Sequence, residues 1–113
     1  MGDKNIAIIE KMIGYVDKII HYVSCLDKAD FLVNPQLVDA CVFNLLQIGE
    51  LSGRIDESIK STFSDVPWYK LRGLRNRLVH DYNGINIGLI WDIIKNDLDD
   101  LRDQLVKVKN VRT

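Results

Sequence analysis

Proline and cysteine are scarce in this chain, with two of each in 113 residues. Cys25 and Cys41 both fall inside helical patterns, and neither has His, Cys or acidic neighbours at metal-ligand spacing. A zinc scaffold and a disulfide framework are therefore excluded. Two reduced, buried thiols fit a cytoplasmic protein. Pro35 and Pro67 leave long stretches free of helix breakers, and each stands where a helix begins. No uncharged run approaches the roughly 20 residues of a membrane span. Met1 to Asn5 lead into an amphipathic run that does not read as a signal peptide. β-alternation, internal repeats and low-complexity tracts are lacking too. The formal net charge is −1, so the chain as a whole is no electrostatic trap for nucleic acid.

Helical periodicity is what remains. A first helix is predicted from Asp3, as N-cap, to Leu26. Ile6, Ile9, Ile13, Val16, Ile20 and Val23 form its seam; Ile8, Met12, Tyr15, Ile19 and Tyr22 widen it enough for two neighbours. Asp27 to Val33 reads as a connection. Asn34-Pro35 starts a second helix that runs to about Thr62, burying Val38, Cys41 or Val42, Leu45, Ile48, Ser52, Ile55 and Ile59. Gly49 and Gly53, one turn apart, each cost about 1 kcal/mol against alanine and point to a helix passing close by. Ser64-Asp65-Val66-Pro67 restarts the chain as a third helix ending near Tyr82, before the Asn83-Gly84 turn. A fourth begins at about Asn86 and buries Ile87, Ile90 or Trp91, Ile94, Leu98, Leu101, Leu105 and Val108, with a frayed tail from Lys107 to Thr113. These elements make a single all-α domain, an up-and-down four-helix bundle. At this size it leaves apolar surface for a second copy to cover, hence an expected homodimer.

The third helix carries the charge asymmetry. From Val66 to His80 there are four cations, Lys70, Arg72, Arg75 and Arg77, and no acid, whereas Asp97, Asp99, Asp100 and Asp103 gather on the fourth helix. A neutral protein thus presents one local basic face, enough for a few phosphates. Leu71, Leu74, Leu78, Val79 and Tyr82 share one side of the helix with Trp68, and Arg75 sits in its middle. A guanidinium turned inward costs several kcal/mol unless it is paired, and Glu50 of the second helix is a suitable partner.

Arg75, four residues, His80, one residue, Tyr82 resembles the Arg-x4-His-x-Tyr motif of the HEPN superfamily, in its HepT toxin branch. Pro67-Trp68, Leu74-Arg75-Asn76, Leu78 to Tyr82, and Ile48-Gly49-Glu50 are similar to that branch as well. The resemblance implies a ribonuclease toxin of a toxin–antitoxin pair that acts without metal or cofactor. Arg75 and His80 would be its catalytic pair. It also implies a nucleotidyltransferase partner, the antitoxin, that silences the toxin by transferring AMP to Tyr82.

The residue types suit that chemistry. Imidazole exchanges protons near neutrality, so His80 can serve the ribose 2′-hydroxyl or the leaving 5′-oxygen. Arg75 offers a planar fork to phosphate. Lys70, Arg72 and Arg77 position an RNA backbone without reading bases. Asn76 and Asp81 support the pair, and Tyr82 can stack on a base. Helix geometry objects, because five residues leave Arg75 and His80 about 140° apart. Either the helix loosens before His80, or two chains face each other across a cleft, the arrangement HEPN proteins commonly use. Two other readings stay open: a non-catalytic helical subunit of a two-component nucleotidyltransferase, and a structural dimerisation module.

Overall fold

The computed structural model describes residues 2–112, with side chains for residues 4–111. The first apolar stripe becomes α1 (Gly2–Val23). Met12 and Ile19 take the centre of its buried face with Ile9, Val16 and Val23, while Ile6, Ile13 and Ile20 are only partly covered. The width has the anticipated cause: α1 packs on both α3 and α6, introduced below. Asp3 lies within the first turn rather than capping it, and its side chain is outside the described residues.

The stretch read as a connection holds a short helix, α2 (Lys28–Leu32). Asp27 and Asp30 cap it reciprocally: the Asp30 N–H donates to Asp27 Oδ1 at 2.9 Å and the Asp27 N–H to Asp30 Oδ2 at 3.1 Å. The turn delivers Phe31, fully buried, against Trp91, with ring centroids 5.3 Å apart.

Asn34 then caps α3 (Pro35–Ser52) as its sequence signals, Oδ1 accepting from the Leu37 N–H at 3.1 Å. Every residue of the anticipated stripe from Val38 to Ile59 is buried. The helix itself does not continue to Thr62; it breaks after Ser52 and resumes as α4 (Glu57–Thr62). The break has a distant cause. Asn5 of α1, buried, accepts the Asp56 N–H at 3.1 Å through Oδ1 and donates to Asp56 Oδ2 at 2.9 Å through Nδ2. Asp56 is extended there, with φ −61° and ψ 141°, and cannot carry a helix through.

Pro67 precedes α5 (Trp68–His80), which ends two residues short of the expected Tyr82. A 3₁₀ turn (Tyr82–Gly84) leads to α6 (Ile87–Arg112), where Asn86 Oδ1 accepts the Leu89 N–H at 3.1 Å. Order does not fade at Lys107: α6 continues to Arg112, Val108 is 2% exposed, and Lys109 pairs with Glu10 at 3.2 Å. Thr113 lies outside the described residues.

Long-range ties fix the directions. Glu10–Lys109 and Asp17–Arg102 run α1 against α6. Asn5–Asp56 sets the start of α1 beside the end of α3. Tyr82 bonds Asp39, near the start of α3, while Gly49 lies against Leu71 and Arg75. All neighbours are antiparallel, so the four long helices form the up-and-down bundle in the order α6, α1, α3, α5. Among the described residues there is no strand, and no helix is long and apolar enough to cross a membrane.

Cys25 departs from the expected burial. It is exposed just past α1 with φ 66°, in the left-handed region. Cys41 is buried, and desolvation pushes its thiol up to about 11, which keeps it protonated and inert near neutral pH.

Candidate active site on α5

α5 leans on α3 through a glycine. A Cβ on Gly49 would stand 2.7 Å from the Leu71 carbonyl oxygen and closer still to Arg75 Cβ, so only glycine lets the two backbones approach this far. The approach brings Arg75 within reach of α3. Its Nε lies 2.8 Å from Glu50 Oε1, the pairing suggested by an inward guanidinium. The contact is a close charge pair rather than an aligned hydrogen bond, because the buried Nε–H finds no acceptor in its own direction. Nη1 donates to Asn76 Oδ1 at 3.0 Å. Glu50 and Asn76 thus hold Nε and Nη1 of a side chain that is one quarter exposed, leaving Nη2 to meet an anion.

His80 closes the last turn of α5 and is exposed. The helix is regular up to that point, so it does not loosen to bring the imidazole round. Within one chain, Arg75 and His80 point about 140° apart. Tyr82 does not share the Arg75 face either, because the helix has already ended. Asp81, the C-cap, leaves the helical conformation with φ −141° and ψ 42°, and its carboxylate lies against Gly84. This turn carries the phenol to α3, where its hydroxyl donates to Asp39 Oδ1. Val79, assigned to the apolar side, is 48% exposed.

Lys70, Arg72 and Arg77 are exposed, and none forms an ion pair with a described residue. On the helix, Lys70 and Arg77 flank one side of an outward stripe of Tyr69, Gly73, Asn76 and His80, and Arg72 flanks the other. The basic face is therefore real and available to phosphates. Gly73 has no atom within 4 Å of where a Cβ would be. Gly73→Ala should thus stabilise the isolated fold by about 0.5–1 kcal/mol, read as a higher melting temperature.

Asp39 is the site residue that sequence reasoning missed. It stands 43 residues before Tyr82, on a different helix, with no motif to mark it. Its carboxylate accepts the phenol and so raises the Tyr82 pKa above the ordinary 10, with desolvation and charge repulsion acting the same way. The hydroxyl is a donor at neutral pH. A folded-state value above the unfolded one means that this bond adds stability below pH 10 and loses it as pH rises through the raised value. Asp39→Asn should return Tyr82 ionisation towards 10 in an NMR pH titration of the ring; an unmoved midpoint would refute Asp39 as the cause.

A cavity of about 390 Å³ between α3, α5 and α6 contains none of Arg75, His80 and Tyr82. Leu45, Ile48, Leu71, Leu74, Leu98 and Leu101 make its walls mostly apolar, with Lys70, Asp97 and Asp100 among the polar residues that also line it, and the motif residues lie elsewhere. Among the described residues, no group of three His, Cys, Asp or Glu is placed to hold a metal ion.

Comparison with known proteins agrees with the motif. Residues 12–108 match the family model described as ribonuclease HepT-like. A protein of Methanocaldococcus jannaschii, named as a candidate RNase, is 30% identical over 99 residues, covering 88% of this chain and 91% of the relative. A similarly named protein of Caldanaerobacter subterraneus subsp. tengcongensis is 29% identical over 100 residues, covering 88% and 89%. A protein of Thermococcus cleftensis named "Probable ribonuclease HepT" is 29% identical over 80 residues, covering 71% and 73%. No solved structure gives a significant match.

Proposed function

Because the chain belongs to the HepT-like ribonuclease family, we propose that it is an endoribonuclease toxin of the cytoplasm, cutting RNA without a metal at clefts shared by two facing copies. The observation that carries this reading is Arg75, held by Glu50 and Asn76 with Nη2 left for phosphate, on the same regular helix as an exposed His80. One copy brings Arg75 to each cleft and the other brings His80. The ribose 2′-oxygen attacks the adjacent phosphorus as the bond to the 5′-oxygen breaks. His80 moves a proton at one of these two oxygens. Arg75 meets the charge that builds on the phosphoryl oxygens. Lys70, Arg72 and Arg77 hold the backbone in register.

Tyr82 is the point of control in this reading. A nucleotidyltransferase antitoxin transfers AMP to its hydroxyl: the tyrosyl oxygen bonds to the α-phosphorus of ATP and pyrophosphate leaves. The added phosphate then competes with RNA for the same cations. The relatives' names support the ribonuclease part, and the motif resemblance supports the control.

The test is expression without the partner, wild type beside Arg75→Ala and His80→Ala. Growth arrest by the wild type alone is expected, and cleavage by the purified protein should persist in excess chelator. Equal toxicity or equal harmlessness of all three sinks the ribonuclease reading. Intact mass after co-expression with the partner should show added AMP that Tyr82→Phe lacks.

A further inference from the structure

Behind Tyr82 lies a slot of about 240 Å³, formed where the end of α2 and the start of α3 meet the 3₁₀ turn. Its walls are aliphatic: Val38 and Val42 at the floor, both buried, with Leu32 and Ile87 at the mouth. Leu32 is 46% exposed, Ile87 38% and Tyr82 45%, so three of the chain's large exposed apolar side chains gather round one opening. The volume falls below the roughly 300–1,000 Å³ of pockets for larger ligands and leaves room for one flat ring system. It is too small for the face of a docking helix.

The polar side chains lining the slot are Asp39, Tyr82 and Asn83, and of these only Asp39 carries a charge. Asp39 Oδ1 is engaged by the Tyr82 hydroxyl, and its Oδ2 has no hydrogen-bond partner among the described residues. An aliphatic crevice with an aromatic ring at the lip and one vacant carboxylate oxygen suits an unstacked base that presents an amino group. Its place on the chain fits as well. Tyr82 follows His80 by two residues, so a nucleotide whose phosphate lies at His80 has its base within reach of the opening.

We propose that this slot receives one base beside the cleaved phosphate, and that Asp39 selects bases with an exocyclic amine, adenine and cytosine, over uracil. The inference rests on the ribonuclease reading for its catalytic consequence, but base binding stands apart from cleavage. Asp39 is then a specificity-determining residue that α3 contributes to a site otherwise built on α5 and the turn after it.

The experiment compares short homo-oligomers of A, C and U as substrates for the purified full chain. Wild type should favour A and C over U by roughly 5- to 100-fold in kcat/KM, the range for one good base contact. Asp39→Asn, an isosteric change at an exposed position, should bring the ratio to within about twofold while the chain stays fully folded at the assay temperature, its melting temperature lowered by no more than the roughly 4–8 °C that follows from weakening one hydrogen bond. An unaltered ranking in Asp39→Asn, or a wild-type preference for U, overturns the proposal. If wild type cuts none of the three, the ribonuclease reading fails, and fluorescence anisotropy with the same labelled oligomers decides the slot. Base-dependent binding that Asp39→Asn abolishes supports it, and equal binding of all three overturns it. Leu32→Glu adds a control on the occupant: a change of oligomeric mass with the base ranking intact assigns the slot to a second copy and overturns the proposal.

Discussion

Equimolar mixing of Arg75→Ala and His80→Ala proteins, each inactive alone, should restore about a quarter of the wild-type cleavage rate. Alone, loss of the proton carrier costs about 10²–10⁴-fold, and loss of the phosphate-facing guanidinium about 10²–10³-fold. The recovery follows from α5 being regular through His80, which turns the two groups to different sides of one chain. A two-fold interface sets residue i of one copy against j of the other, and j against i. In a mixed dimer one cleft then keeps both groups and the other keeps neither. Random exchange makes half the dimers mixed, each with one working cleft of two. Subunits exchanged by joint refolding, with dimer mass checked by light scattering, give the readout. A mixture as dead as its components would mean that each cleft uses groups from one chain, or all four at once.

The parts of this arrangement differ in how far sequence discloses them, and the difference follows separation along the chain. The buried stripe from Val38 to Ile59 was legible because 3.6-residue periodicity survives the helix break between α3 and α4. The close approach at Gly49 was legible because two glycines in a helix need a reason. Glu50 and Arg75 were legible together because an inward guanidinium demands a carboxylate. The break after Ser52 was not, since its cause, the Asn5 amide on Asp56, comes from 51 residues away. The path of Tyr82 was hidden similarly. Seven residues on from Arg75 it belongs to the same helical face, but the helix stops first and Asp39 fixes the phenol from another element. The short α2 did carry a local signal, Asp27 and Asp30 at capping-box spacing, which is easily passed over because an aspartate replaces the usual Glu or Gln.

Gly49→Ala should be the most damaging single-methyl change in the chain, for stability and for cleavage together. The added Cβ meets the Leu71 carbonyl and the Arg75 Cβ, atoms of backbone and near-backbone that cannot swing away, so α3 and α5 must part. Overpacking of this kind costs about 1–3 kcal/mol, equivalent to a fall of roughly 4–8 °C in Tm per kcal/mol in a domain of this size. Gly53→Ala is the internal control: its Cβ meets the tip of the Arg72 guanidinium, which can turn aside, and lies at ordinary contact distance, 3.4 Å, from the Glu50 carbonyl oxygen, so stability should change by under about 1 kcal/mol. The effect on activity should exceed what unfolding alone explains. Parting the helices lengthens the 2.8 Å Glu50–Arg75 contact and leaves the guanidinium held only by Asn76 of its own helix. At a temperature where Gly49→Ala is still fully folded by circular dichroism, cleavage should already be at least about tenfold below wild type, since a small misplacement of a positioned group can cost about 10². If the folded variant cuts as fast as wild type, Arg75 does not depend on α3 for its pose, and Glu50 is only a surface partner.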